Sequence, residues 1–359
     1  MNIDIVPGPF VKKAALQERI GDGICKCLTC EHRCQIREGR TGICGTRYNF
    51  KNDIYTITYG CAASLSANPI EKKPLYHFFP GTTAITIGAF GCNFKCFWCQ
   101  NHAIAHPGSP VPDLVSHSRH VPPDALVKMA ATAGCKGTSI SFNEPTLSLE
   151  FSVDVFSLAR KAGLYNTFVT NGYMTRDALA LLARSGLDAM SINIKGDAGV
   201  VREHCGADVE ICWRNAISAK KMGIHVEIVT LVIEGLNSND NTINAIAARI
   251  ARELGRETPF HLTRFFPARD AMRNGFDHET PVQVLISARE RAIDAGLKHV
   301  YIGNLRESKY DDTICPGCSR VVIKRCGFSI LKKQIDDDGN CLHCGHPICT
   351  IHSRARARK

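Results

Sequence analysis

Gly91-Cys92-Asn93-Phe94-Lys95-Cys96-Phe97-Trp98-Cys99-Gln100-Asn101 is the stretch on which the fold turns. Three residues separate Cys92 from Cys96, and two separate Cys96 from Cys99, so one tight loop offers three thiolates. A cubane 4Fe–4S cluster takes four cysteine ligands. Three leave one iron without a protein ligand, and an open coordination position is where a metal centre does chemistry rather than scaffolding. A structural zinc or a disulfide is the alternative, but zinc favours paired CxxC knuckles that supply four ligands. The apolar run Ala84-Ile85-Thr86-Ile87-Gly88-Ala89-Phe90 leads into the loop and sets it at the carboxyl end of a strand.

Outward from the loop the pattern repeats. Short β-branched runs at 138–142, 166–170, 187–194, 225–233, 260–266 and 299–302 alternate with stretches of helical period. Ser148–Ala162 carries Leu149, Val153, Phe156 and Leu158, and Asn239–Leu254 carries Ile243, Ile246, Ala247 and Ile250. Alternating βα units imply an α/β fold with a parallel sheet. Seven such units over roughly 220 residues suit a partial or near-complete TIM-like barrel. The polar clusters Asn143-Glu144-Pro145-Thr146, Thr170-Asn171-Gly172-Tyr173, Lys195-Gly196, Arg264 and Gly303-Asn304 follow the predicted strands. They would share the rim that carries the three thiols.

Of eighteen cysteines in 359 residues, fourteen fall in clusters: five from Cys25 to Cys44, three in the loop, and six from Cys315 to Cys349. Tight clusters in a long α/β chain point to metal rather than disulfides. At the C-terminal end Cys315-Pro-Gly-Cys318 and Cys341-Leu-His-Cys344 form two CxxC knuckles, a zinc-ribbon-like signal with an iron–sulfur cluster as the rival. At the N-terminal end Cys27, Cys30, Cys34 and Cys44 can close one site, for zinc or for an auxiliary cluster. These divisions predict a Cys-rich module over 1–80, a barrel over 81–310, and a four-cysteine ribbon-like module with a basic tail over 311–359.

Forty-four Lys and Arg against 34 Asp and Glu leave a net charge of +10, part of it in Arg354, Arg356, Arg358 and Lys359. Such a tail reads as a solvated end, with nucleic acid a less favoured partner. No run approaches the roughly eighteen apolar residues of a membrane span. Met1-Asn2-Ile3-Asp4 does not resemble a secretory signal, so a cytoplasmic, reducing setting is expected.

The CxxxCxxC loop with Trp98 before its last Cys matches the radical S-adenosylmethionine (radical SAM) signature. Around it lie Cys27-x2-Cys30-x3-Cys34, Gly42-Ile43-Cys44-Gly45, and Pro69-Ile70-Glu71-Lys72-Lys73-Pro74-Leu75-Tyr76-His77. Asn143–Thr146, Thr170–Tyr173, His225-Val226-Glu227 and Tyr301-Ile302-Gly303-Asn304 complete the set. Over roughly residues 25–345 the chain resembles the AmmeMemoRadiSam system radical SAM enzymes, a family similar to pyruvate formate-lyase activating enzyme. The resemblance implies a radical SAM barrel, a 4Fe–4S cluster at Cys92, Cys96 and Cys99, and kinship with activases. Two departures stand out. Asn193-Ile194-Lys195 occupies the place of an Asp-x-Lys that serves a monovalent-cation site in activases, and Glu234 stands where a Pro is common.

That chemistry needs SAM held against the cluster, and several residues are candidates. Glu144 would hold the SAM ammonium, Trp98 would pack near adenine or shield the cluster, and Asn143 lies on the same rim. Thr170 and Asn171 would bond ribose or carboxylate, and Lys195 would balance charge. His225 and Glu227 share a strand face by parity and would meet substrate or each other, while Arg264 is expected at the mouth. The expected partners are a low-potential electron donor such as flavodoxin or ferredoxin and a small-molecule or protein substrate. An RNA-modifying enzyme and a non-catalytic metal-binding adaptor are the competing classes.

Overall fold

The computed structural model describes residues 8–305 and 309–351; Arg354, Arg356, Arg358 and Lys359 lie outside the described residues. One eight-stranded sheet organises the chain. Its strands are β1 (Ser64–Pro69), β2 (Thr83–Gly88), β3 (Gly137–Ile140), β4 (Tyr165–Thr170), β5 (Ala189–Asn193), β6 (His225–Val232), β7 (Phe260–Arg264) and β8 (Val300–Gly303). They lie side by side in chain order. From β2 to β8 every pairing is parallel, and β1 runs antiparallel beside β2, with Ser64 opposite Gly88 and Pro69 opposite Thr83. β1 and β8 are the free edges, so the barrel is open.

All seven expected strands are present, and β1 adds an eighth within the segment assigned to the N-terminal module. Ser-Leu-Ser-Ala-Asn-Pro is half exposed and lacks the apolar run that betrays a doubly covered parallel strand. β3, by contrast, is buried at all four positions. Helices cover the outer face of the sheet. Leu149–Lys161 buries Leu149, Phe151, Val155, Phe156 and Ala159 along one stripe, the spacing of an amphipathic helix. Phe168, Met190, Ile228 and Leu262 from the strands share its core cluster. Arg176–Ser185 is capped by the Thr175 hydroxyl and stopped by Gly186 at φ 112°. No helix among the described residues is long and apolar enough to cross a membrane.

Two small three-stranded antiparallel sheets precede β1, and a third (Thr313–Ile314, Val321–Cys326, Ser329–Lys333) follows β8. The segment around Tyr76 and the C-terminal ribbon fill the open side of the barrel. Arg325, 4% exposed, donates to Tyr76 O at 2.9 Å, Asp311 O at 3.0 Å and Thr313 Oγ1 at 2.7 Å. His77 Nδ1 meets Ile348 O at 2.6 Å and Thr350 N donates to His77 O at 2.7 Å. The ribbon is thus wedged into the barrel seam, not appended to it.

Candidate functional site

The loop after β2 is held by its neighbours before any ligand is considered. Asn143 accepts from Ala89 N at 3.1 Å and donates to Gly91 O at 3.1 Å, clamping the approach to Cys92. Gly91 sits at φ 90°, and a Cβ there would lie 2.6 Å from Cys44 O. The position therefore needs glycine on both counts, and it presses the loop against the N-terminal module.

A cavity of about 410 Å³ opens at the carboxyl ends of the strands, with Cys92, Cys96 and Cys99 on one wall. Trp98, Asn143, Glu144, Thr170, Asn171 and Lys195 also border it. Glu144 is 3% exposed. One of its oxygens accepts from Thr146 N (3.1 Å), Thr146 Oγ1 (2.5 Å) and Thr170 Oγ1 (2.6 Å); the other accepts from Asn171 N alone (2.8 Å). The second oxygen keeps capacity for a further donor. Burial raises this carboxyl above its ordinary value, and these four bonds pull against it. Lys195 Nζ donates to Asn193 Oδ1 at 3.0 Å. The residue that departs from Asp-x-Lys thus faces the cavity beside the lysine.

His225, Glu227 and Arg264 do not border this cavity. His225 opens β6, so it lies at the amino end of the barrel, a whole strand length from the thiols. His225 Nε2 reaches Glu227 Oε1 at 2.9 Å and His261 Nε2 reaches Oε2 at 2.6 Å. Tyr76 N and His77 N complete the carboxylate's shell. Burial raises Glu227, but the bonds from both histidines outweigh it and hold the carboxyl well below its ordinary range. Parity brought His225 and Glu227 together as expected; their height along the strand excludes the substrate side. On β7 parity decides otherwise. Thr263 borders the cavity, so Arg264 turns away, donating to Thr280 O at 2.7 Å with its guanidinium 5.3 Å from the Phe266 ring centre.

Sequence reading overlooked Lys73, Phe328 and Cys205. Lys73 is 3% exposed on the cavity wall, 4.6 Å from the Phe142 ring centre, and burial lowers its pKa to about 7. Its place in Lys72-Lys73-Pro74 was the available signal. Phe328 reaches the cavity from the ribbon hairpin, which no local pattern announces. Cys205, fully buried, sets its sulfur 3.3 Å from that of Cys96.

The two outer thiol sets differ. Cys315–Cys344 and Cys318–Cys341 sulfurs lie 3.5 and 3.8 Å apart, close to the ~3.8 Å edge of a tetrahedron with Zn–S near 2.3 Å. Among the described residues this is the one set whose ligand atoms all fall within 4.8 Å of one another. Cys27, Cys30, Cys34 and Cys44 instead border a small hollow with Arg47 and Thr29.

The cavity thiols pass the test of fit for a 4Fe–4S cluster. Among the lining residues only Cys92, Cys96 and Cys99 carry sulfur, and they are spread more widely than zinc would draw them. A model of the Radical SAM superfamily matches residues 86–249. The uncharacterized protein MJ0808 of Methanocaldococcus jannaschii is 36% identical over 346 residues, spanning 94% of this chain and 99% of that protein. A domain of a pyruvate-formate lyase-activating enzyme from Bacteroides vulgatus is 20% identical, covers 47% of this chain and 99% of its own, and has a TM-score of 0.40. A radical SAM methyltransferase from Sphaerobacter thermophilus is 13% identical, covers 82% and 78% of the two chains, and has a TM-score of 0.49.

Proposed function

Because this chain belongs to the radical SAM superfamily, and so to enzymes that cleave S-adenosylmethionine by a radical mechanism, we propose that its cavity binds SAM for hydrogen-atom abstraction from a substrate at the rim. Bound at Cys92, Cys96 and Cys99, a 4Fe–4S cluster with an open iron would supply the one-electron cleavage that yields methionine and a 5′-deoxyadenosyl radical. The observation that carries the reading is one cavity wall on which Cys92, Cys96 and Cys99 are the only sulfur-bearing residues, Cys205 lying behind Cys96 outside the lining, and another wall of Glu144, Thr170 and Asn171.

Within it, the less occupied Glu144 oxygen accepts the ammonium of SAM. Thr170 and Asn171 hold that carboxylate in place, since both donate to it. Lys195 offers a cation for the SAM carboxylate, shared with Asn193. Trp98, 2% exposed, keeps water from the thiols. A volume near 410 Å³ falls in the range of small-molecule sites, about 300–1,000 Å³, as a SAM pocket requires. An electron donor such as flavodoxin or ferredoxin is required for the reduction. Eighteen free cysteines support a cytoplasmic setting.

The test is anaerobic reconstitution with iron and sulfide, reduction, and chromatography for 5′-deoxyadenosine. Wild-type protein forms it and Cys96→Ala does not. Glu144→Gln weakens SAM binding about tenfold, near 1.4 kcal/mol. Wild-type protein that carries the cluster yet yields no nucleoside overturns the reading.

A further inference from the structure

The N-terminal thiols have a partner set that zinc does not explain. Cys27, Cys30, Cys34 and Cys44 all border one hollow, yet no three of them meet within 4.8 Å. A tetrahedral zinc would draw all four to about 3.8 Å, and the ribbon cysteines already stand within 4.8 Å of one another. Like Cys92, Cys96 and Cys99, the N-terminal thiols do not gather within that limit, and ligands set around an iron–sulfide core need not.

Buried donors without partners lie at the hollow and beside its cysteines. Arg47 is 1% exposed; its two terminal nitrogens bond Glu150 Oε1 and Leu147 O, and its Nε has no partner. Arg47 and Thr29 border the hollow, and the buried Thr29 hydroxyl also has no partner. The Asn93 side chain lies against Cys30, and its Nδ2 has no oxygen partner. Three orphaned donors, each 1% exposed, are costly unless negative sulfur lies among them. The module is also fastened directly behind the cavity loop. His32 Nε2 meets Asn93 O at 2.7 Å, Asn171 Nδ2 donates to Asn93 Oδ1 at 2.8 Å, and Cys44 O faces Gly91.

We propose that Cys27, Cys30, Cys34 and Cys44 hold a second 4Fe–4S cluster, ligated by protein at all four irons and set against the loop of Cys92, Cys96 and Cys99. Full ligation leaves it no open iron, so it does not bind SAM. Asn93 links the two sites, one face toward Cys30 and the other toward Asn171.

Full-length protein, reconstituted anaerobically with iron and sulfide, tests this by metal count and by electron paramagnetic resonance. Wild-type chain should carry about eight irons, and the triple variant Cys92→Ser, Cys96→Ser, Cys99→Ser about four. The reduced triple variant should retain a cluster signal that added SAM does not change. Adding Cys30→Ser and Cys44→Ser should remove that iron, whereas Cys25→Ser, outside the set, should keep it. A triple variant without iron overturns the proposal, as does one extra zinc per chain that Cys30→Ser abolishes. If the five-fold variant does not fold, the triple variant decides by itself. None of these readouts needs SAM cleavage, so failure here is distinct from failure of the cavity reading.

Discussion

The two ends of this chain each present four cysteines, and they are built for different work. At the C-terminal end the four sulfurs of two knuckles all lie within 4.8 Å of one another, two pairs at 3.5 and 3.8 Å, an arrangement compatible with a closed tetrahedral metal site. Their ribbon locks into the barrel seam through Arg325 and His77, far from the cavity thiols except for the tip at Phe328. At the N-terminal end the sulfurs are spread around a hollow with unpaired donors at it and beside its cysteines, and touch the cavity loop through Asn93 and Gly91. Equal ligand counts thus conceal a difference that only distances and neighbours disclose.

The comparison breaks most sharply under a zinc chelator. Stripping the ribbon should remove metal worth about 10 kcal/mol or more of folding free energy. Hydrogen exchange should then accelerate across Val321–Cys326 and Ser329–Lys333, with the iron count unchanged. Equal loss of iron would show that the two ends are not independent.

Arg47→Met addresses the other end. It leaves Glu150 buried without its cation, with an expected cost of about 3–5 kcal/mol by thermal or denaturant unfolding. Iron at the N-terminal site should fall while metal at the ribbon stays. Glu150→Gln in the same chain should recover much of the stability, since no isolated charge then remains.

The smallest effect concerns the seam at the amino end of the barrel. Glu227→Gln keeps the shape but replaces one of the two acceptor oxygens by a donor, so either Tyr76 N or His77 N loses its partner, at about 2 kcal/mol. The folded-state pKa of Glu227 lies below its unfolded value. Its contribution is therefore complete above the ordinary Glu value of about 4.3 and disappears as pH falls through the depressed one. Wild-type stability should drop steeply below about pH 4, and the variant should lose that part of the slope. An unchanged acid profile would assign the transition to other carboxylates.

Some of this was legible in the order of residues. Cys92, Cys96 and Cys99 needed only their spacing and the apolar run before them, because a single loop supplies all three ligands. The βα alternation likewise exposed seven strands, since strands buried on both faces are apolar along their length. His225 and Glu227 illustrate where such reading ends. Period two told which face they share, but their position at the start of β6 put them a strand length from the thiols. Arg264 failed by the opposite route: it sits at the correct end of β7 and on the wrong face. β1 escaped because an exposed edge strand carries no strong apolar pattern.

By itself, the order of residues determined the three-thiol loop, the parallel βα architecture and the two outer sets of four cysteines, all of them matters of local spacing and period. Tertiary structure alone decided that Glu144 keeps one oxygen open to the cavity, that the ribbon closes the barrel seam, and that the outer thiol sets differ in spread. Each of these depends on distances between segments tens to hundreds of residues apart. Periodicity carries no information about such distances until the sheet has brought the segments together.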